Sequence, residues 1–222
     1  MIIAGDLTTV GSMNELIEFN AFLGRNRHLY DQCIVTPGNH DKILERELPL
    51  AKTILTHAQI LVDEPYTYAG LKIWASPWTP TFFNWYYMKD RGEDIKPVWD
   101  IIPDGLDILV THGPPYGIMD VTDGRYGPPQ SVGCEELRKK LDTMEQPPRY
   151  HIFGHIHSGY GQNTIGATTF INASLCDEDY KAVNPRMFLW LTISEIKRLA
   201  SYEIDSIIYS PLLHKHPNVK TN

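Results

Sequence analysis

Four short apolar runs in this chain each lead into a residue that can bind a cation. That pairing limits the folds open to it. Ile2-Ile3-Ala4 leads to Gly5-Asp6, and Cys33-Ile34-Val35 leads to Gly38-Asn39-His40-Asp41. Ile108-Leu109-Val110 leads to Thr111-His112-Gly113, and Ile152-Phe153 leads to Gly154-His155-Ile156-His157. Apolar runs this short, bounded by turn residues, read as buried strands. Residues just past the ends of neighbouring strands can converge outside the sheet edge, where open α/β sheets place their ligands. Asp6 offers a carboxylate, Asn39 an amide oxygen, and His112, His155 and His157 offer imidazoles. This borderline-hard set suits Mn, Fe, Zn or Ni better than Ca, which prefers oxygen throughout. Singly, Asp6 reads as a turn cap and Asn39-His40 as a loop turn. Together they read as a metal site.

The surrounding composition narrows the partners. A chain of 222 residues, 42% hydrophobic and 21% charged, suits one soluble globular domain with a sizeable core. No apolar run approaches the ~18 residues needed to span a bilayer, so no membrane partner is expected. No basic segment precedes an apolar one at the start, so no secretory signal is expected. Net charge is −7 with Lys and Arg scattered, which argues against duplex nucleic acid, whose binding needs a basic face. A small phosphate ester or nucleotide remains compatible, because a metal supplies positive charge locally. Cys33, Cys134 and Cys176 form no Cys-x-x-Cys pair. They fit buried thiols in a reducing compartment, and a cytoplasmic location is expected.

Strands alternate with helices, which indicates an α/β layered fold. Ser12 to Gly24 reads as a helix, opened by a Ser12/Glu15 capping box and striped by Leu16, Phe19, Phe22 and Leu23. Asp41 to about Ala58 reads as helical, broken or kinked by Pro49. Tyr66 to Trp74 reads as two strands about Gly70. A long aromatic connection runs from Ser76 to Asp100, followed by a short helix at Glu135 to Leu141 and a strand at Thr168 to Ile171. Trp78, Phe82, Phe83, Trp85, Tyr86 and Tyr87 read first as a lid or core wall, and secondarily as a stacking surface for a base. Arg91 and Arg125 are candidates for phosphate contact. His151 reads as a packed or capping residue. A helix at Thr192 to Ser201, a strand at Ile207-Ile208 and a tail carrying His214 and His216 complete the reading. The main domain is placed at 1–191, and 192–222 as a divergent extension.

The series Gly-Asp, Gly-Asn-His-Asp, His, Gly-His-x-His resembles the calcineurin-like metallophosphoesterases. Ser76-Pro77-Trp78-Thr79-Pro80, Thr111-His112-Gly113-Pro114-Pro115, Val132-Gly133-Cys134-Glu135 and Ile171-Asn172-Ala173-Ser174 resemble its metallophosphoesterase-domain-containing branch. The resemblance covers Met1 to about Asn184. It implies two packed β-sheets flanked by helices, and a metal-dependent phosphoesterase, with phosphodiesters such as cyclic nucleotides as substrates. It implies two divalent metal ions, Mn or Fe/Zn. One site would use Asp6 as a bridging carboxylate with Asn39, His112 and His155. The other would use Asp6, His157 and an Asp-x-His motif on an earlier strand. His40 would face the phosphate and protonate the leaving group, an imidazole role.

Two departures qualify these expectations. Only five residues precede Asp6, so the Asp-x-His motif and its strand are absent from this sequence. One intact and one damaged metal site are therefore expected, as is a truncated chain or a strand donated by another chain. Many relatives carry Asp three residues after the bridging Asp, orienting the catalytic histidine. Here the residue is Thr9, whose hydroxyl would support His40 less. Some members of the branch carry Gly where this chain keeps His155. His155 and His157 alternate, so on a strand both would face one side; in a loop that is not assured.

Overall fold

A computed structural model describes residues 1–125 and 127–187. The boundary at 191/192, the helix and strand expected beyond it, and His214 and His216 lie outside the described residues. The elements are β1 (Ile2–Ala4), α1 (Met13–Arg25), β2 (Ile34–Thr36), α2 (Lys42–Arg46), α3 (Leu48–Ile54), β3 (Gln59–Ile60), β4 (Glu64–Tyr68) and β5 (Leu71–Ser76). They continue as β6 (Thr79–Pro80), β7 (Met88–Lys89), α4 (Lys96–Asp100), β8 (Ile108–Thr111), α5 (Glu135–Thr143), β9 (Tyr150–Phe153), β10 (Gly161–Ile165) and β11 (Thr168–Asn172).

Local chemistry explains the boundaries. The Ser12 hydroxyl accepts from Glu15 N–H while the Glu15 carboxylate accepts from Ser12 N–H, so the capping box is complete. Leu16 and Leu23 are buried, whereas Phe22 stays 43% exposed, so the apolar stripe is narrower than its sequence. The helical stretch after Asp41 splits into α2 and α3 at Glu47, with Pro49 in the first turn of α3, where its missing N–H costs nothing. Ala69 and Gly70 both take left-handed backbone angles (φ 50° and 78°), which suits the tight turn joining β4 to β5.

Among the described residues, β1-β2-β3 form a parallel three-stranded sheet. A six-stranded sheet runs β10-β11-β9-β8-β5-β4, parallel through its centre and antiparallel at both margins. β6 and β7 form a small pair. The three-stranded sheet buries Cys33, Val35 and Ile60 with Leu16, Leu23 and Leu44 from the helices. The larger sheet buries Leu109 and Phe153 against Trp99 and Leu137. Trp78 packs against both cores, stands edge-on to Tyr87 at 5.5 Å, and donates its indole N–H to Asp63 at 2.7 Å. This is the mixed α/β architecture of packed sheets with flanking helices that the sequence implies, and part of the aromatic connection serves as a core wall.

His151, fully buried on β9, confirms its packing role and has a defined tautomer. The Thr111 hydroxyl donates to Gly113 O at 2.7 Å, so the N–H at His151 Nε2 must donate to Thr111 Oγ1 at 2.8 Å. Nδ1 faces no protein partner, and burial pushes the imidazole pKa down to about 3. The unfolded chain takes up a proton near pH 6.5 and the folded chain does not, so stability falls as pH drops below 6.5. For metal-free protein, this residue contributes about 0.7 kcal/mol per pH unit to that slope at pH 6.5, rising towards about 1.4 near pH 5. His151→Gln keeps an N–H donor without the titration. Urea unfolding between pH 6.5 and 5 is expected to show a correspondingly shallower slope in the variant; equal slopes would mean that His151 is charged in the fold.

Candidate metal centre

The motifs converge at the carboxyl ends of β1, β2, β8 and β9, on the two sheets. The backbone ladder continues past β8: His112 N–H donates to Ser76 O at 3.1 Å, and Gly154 N–H donates to His112 O at 2.9 Å. The His112 side chain then crosses to the smaller sheet, where Nδ1 meets Ala4 O at 2.8 Å. A carbonyl only accepts, so in the neutral ring Nδ1 carries the proton and Nε2 is bare. That bare nitrogen lies 2.8 Å from Asn39 Oδ1 and 3.4 Å from Asp6 Oδ1. The His155 ring sits 4.8 Å from His112, and ligand atoms of Asp6, His112 and His155 lie within 4.8 Å of one another.

Electron pairs facing one another without protons between them repel, and a cation resolves that repulsion. The donor set therefore fits a divalent metal, with Asp6, Asn39, His112 and His155 as the holding residues. Burial, then the adjacent His112, pushes His155 down to about 3, which keeps it neutral and able to ligate. Burial pushes the Asp6 carboxyl up, but the surrounding His112, His40 and His155 rings outweigh it, and its pKa lies below the ordinary value. The approach is close because two residues lack side chains. A Cβ on Gly5 would sit 2.2 Å from His112 Nδ1, and one on Gly38 would sit 2.3 Å from Asp6 Oδ1. Asp6 and His155 themselves take left-handed φ of 54° and 67°, conformations that non-glycine residues keep only where surroundings enforce them.

His40 donates its backbone N–H to Asp6 Oδ1 at 3.1 Å, and its Nδ1 lies 2.6 Å from Thr9 O. The expected support from the Thr9 side chain is thus supplied by the Thr9 backbone, because a carbonyl holds this tautomer without a carboxylate. His157 does not join the cluster. Its Nδ1 lies 2.9 Å from Asp177 O, and its ring stands edge-on to Tyr180 at 5.5 Å. It shares with Asp6, His40 and Tyr180 a cavity of about 550 Å³. His155 and His157 therefore diverge, since the chain turns at His155 instead of continuing as a strand. Arg91 is held by Val132 O and Gly133 O, and Arg125 by Glu178 O and Asp179. Neither guanidinium lines that cavity.

The residue missed from the sequence is Asp41. Its position before α2 suggests a helix cap, yet it makes no capping bond. Instead its buried carboxylate accepts from Gly38 N–H (2.7 Å), Leu7 N–H (3.1 Å), Thr8 N–H (2.9 Å) and the Thr8 hydroxyl (2.7 Å). It ties the Asp6 loop to the Asn39 loop. Burial, then the Asp6 charge, pushes its pKa up against the pull of these donors.

The calcineurin-like phosphoesterase model matches residues 1–159. The chain belongs to the calcineurin-like phosphoesterase family. It is 36% identical over 208 residues to human metallophosphoesterase domain-containing protein 1, covering 83% of this chain and 62% of that protein. It is 36% identical over 206 residues to a UPF0046 protein of Caenorhabditis elegans, covering 85% of this chain and 71% of the relative. A second nematode UPF0046 protein is 33% identical over 213 residues, with 83% and 52% covered. The chain thus spans 62% of the human relative's length.

Asp41→Ala would leave three backbone N–H groups without their acceptor, each costing about 1–3 kcal/mol when buried. We expect a loss of about 3 kcal/mol or more in urea unfolding, and Mn²⁺ affinity weakened about 10- to 100-fold by calorimetry. Unchanged values for both would remove the clamp from Asp41.

Proposed function

We propose that the protein is a metal-dependent phosphoesterase acting on cyclic nucleotides or other small phosphodiesters, with Mn or Fe/Zn as its metal. One observation carries the reading: lone-pair donors of Asp6, Asn39, His112 and His155 face a common point, with His40 bonded to Asp6 beside them. A divalent cation there would supply the charge neutralisation and water activation that phosphoester hydrolysis requires. Asn39 contributes a neutral oxygen, so the centre stays cationic and attracts phosphate. With Nδ1–H of His40 committed to Thr9 O, Nε2 is the atom that would carry a second proton in the imidazolium form and hand it to a leaving alkoxide, leaving the ring neutral.

A second reading is a one-metal protein that binds nucleotide or phosphate and turns over slowly. The separation of His157 from the ligand cluster favours it. The cysteines Cys33, Cys134 and Cys176 are all free thiols, which supports a cytoplasmic setting. The described residues include no helix long and apolar enough to cross a membrane. The net charge of −7 supports a small-molecule partner over duplex nucleic acid.

Purified protein with Mn²⁺ should hydrolyse bis(p-nitrophenyl) phosphate, and His112→Ala or Asn39→Ala should abolish it. Full activity in both variants would overturn the site assignment. Elemental analysis is expected to give one tightly held metal per chain. Two would overturn the one-metal reading.

A further inference from the structure

The turn at 177–181 is more firmly built than a connecting loop requires. Asp177 Oδ1 accepts from Asp179 N–H (2.9 Å) and Lys181 N–H (3.0 Å), and Asp177 O accepts from Tyr180 N–H (3.0 Å). Arg125 reaches across to Glu178 O at 2.9 Å and to the Asp179 carboxylate at 2.7 Å. Ser158 N–H donates to Glu178 at 3.2 Å. The same Asp177 carbonyl holds His157, so the turn is fixed to the site from several directions.

What this scaffold carries is unusual. Tyr180 takes φ 58°, a left-handed conformation in which glycine or asparagine is the ordinary choice. The residue is 64% exposed, so one face of the ring is open to solvent. The ring stands edge-on to His40 at 5.9 Å and to His157 at 5.5 Å, and it lines the cavity that also contains Asp6. Trp85 lies against the His40 ring at 4.3 Å. Phe19 and Phe22, stacked at 6.4 Å, line the same cavity from α1. At about 550 Å³ the space is the size of a small-molecule site, with room for an organic group beyond a phosphate.

We propose that Tyr180 is a specificity-determining residue: its ring, held by the 177–181 turn beside His40 and His157, stacks on a planar heteroaromatic group carried by the phosphate ester. This rests on the phosphoesterase reading of the same site. Stacking of a base on an aromatic side chain is favourable whatever the base, because every base has a π face. The preference it confers is therefore for planarity, with little choice among bases.

The test compares AMP with ribose 5-phosphate, which shares the sugar phosphate and lacks the base. Calorimetric titration of the full chain in Mn²⁺ is expected to show AMP binding about 5- to 100-fold more tightly. Tyr180→Phe keeps the preference. Tyr180→Gly relieves the left-handed backbone, so its Tm is not lowered, and its preference falls to about twofold or less. An AMP preference absent from the wild type, or intact in Tyr180→Gly, would overturn the proposal. So would an equal weakening of both ligands in Tyr180→Gly. Hydrolysis is followed separately with thymidine 5′-(p-nitrophenyl phosphate) and methyl p-nitrophenyl phosphate, which release the same leaving group. A Tyr180-dependent AMP preference without hydrolysis of either ester supports this proposal while overturning the enzymatic reading.

Discussion

The carboxylate of Asp41 is the constraint on which the centre depends. Burying a charge is costly unless hydrogen bonds replace its water, and here four donors from two separate loops do so. Those loops carry Asp6 and Asn39, one following β1 and the other following β2. Parallel pairing sets the two strands side by side, but it does not bring the residues beyond their ends together. The clamp does that, and the bare backbones of Gly5 and Gly38 let His112 and Asp6 close upon each other. The result sets two carboxylates in one buried neighbourhood. Mutual repulsion of this kind makes a site for a cation, since a single divalent ion relieves what neither carboxylate can relieve alone.

Backbone carbonyls impose a common state on the histidines. Ala4 O, Thr9 O and Asp177 O each engage the Nδ1 of one ring, at His112, His40 and His157 respectively. In each neutral ring Nδ1 therefore carries the proton and Nε2 is bare; at His112 that bare nitrogen faces Asn39 and Asp6, the arrangement by which outer partners orient metal-binding histidines. His112 has the widest structural role. Its backbone extends the β5-β8-β9 ladder while its side chain reaches β1, so one residue joins the larger sheet to the smaller.

Much of this was legible because it is local. The Ser12/Glu15 box, a helix break beside Pro49 (at Glu47), the Ala69-Gly70 turn and the ligand types after each apolar run all follow from neighbours in sequence. The cross-chain facts were not legible. Asp41 received no role from the sequence because its donors at Leu7 and Thr8 lie more than thirty positions away. The divergence of His155 and His157 depends on a left-handed angle at His155, which no alternation pattern encodes. Arg91 and Arg125 read as phosphate ligands by charge alone, yet both are engaged by carbonyls and carboxylates brought near by folding. Thr9 misled in the opposite direction: its side chain lacks a charge, but its backbone supplies the bond.

Every residue assigned to the metal or to His40 lies within positions 1–159, the part matched by the family model, whereas the turn at 177–181 lies beyond it. That turn is built from its own backbone and Asp177, with Glu178 tied to Ser158 and Asp179 to Arg125, and the Tyr180 ring faces the cavity. Altering Tyr180 leaves the hydrogen bond from its backbone, the loop clamp and the ligand cluster in place. For protein engineering this is a modular arrangement, in which the single position 180 offers a place to retune selectivity without rebuilding the chemical centre.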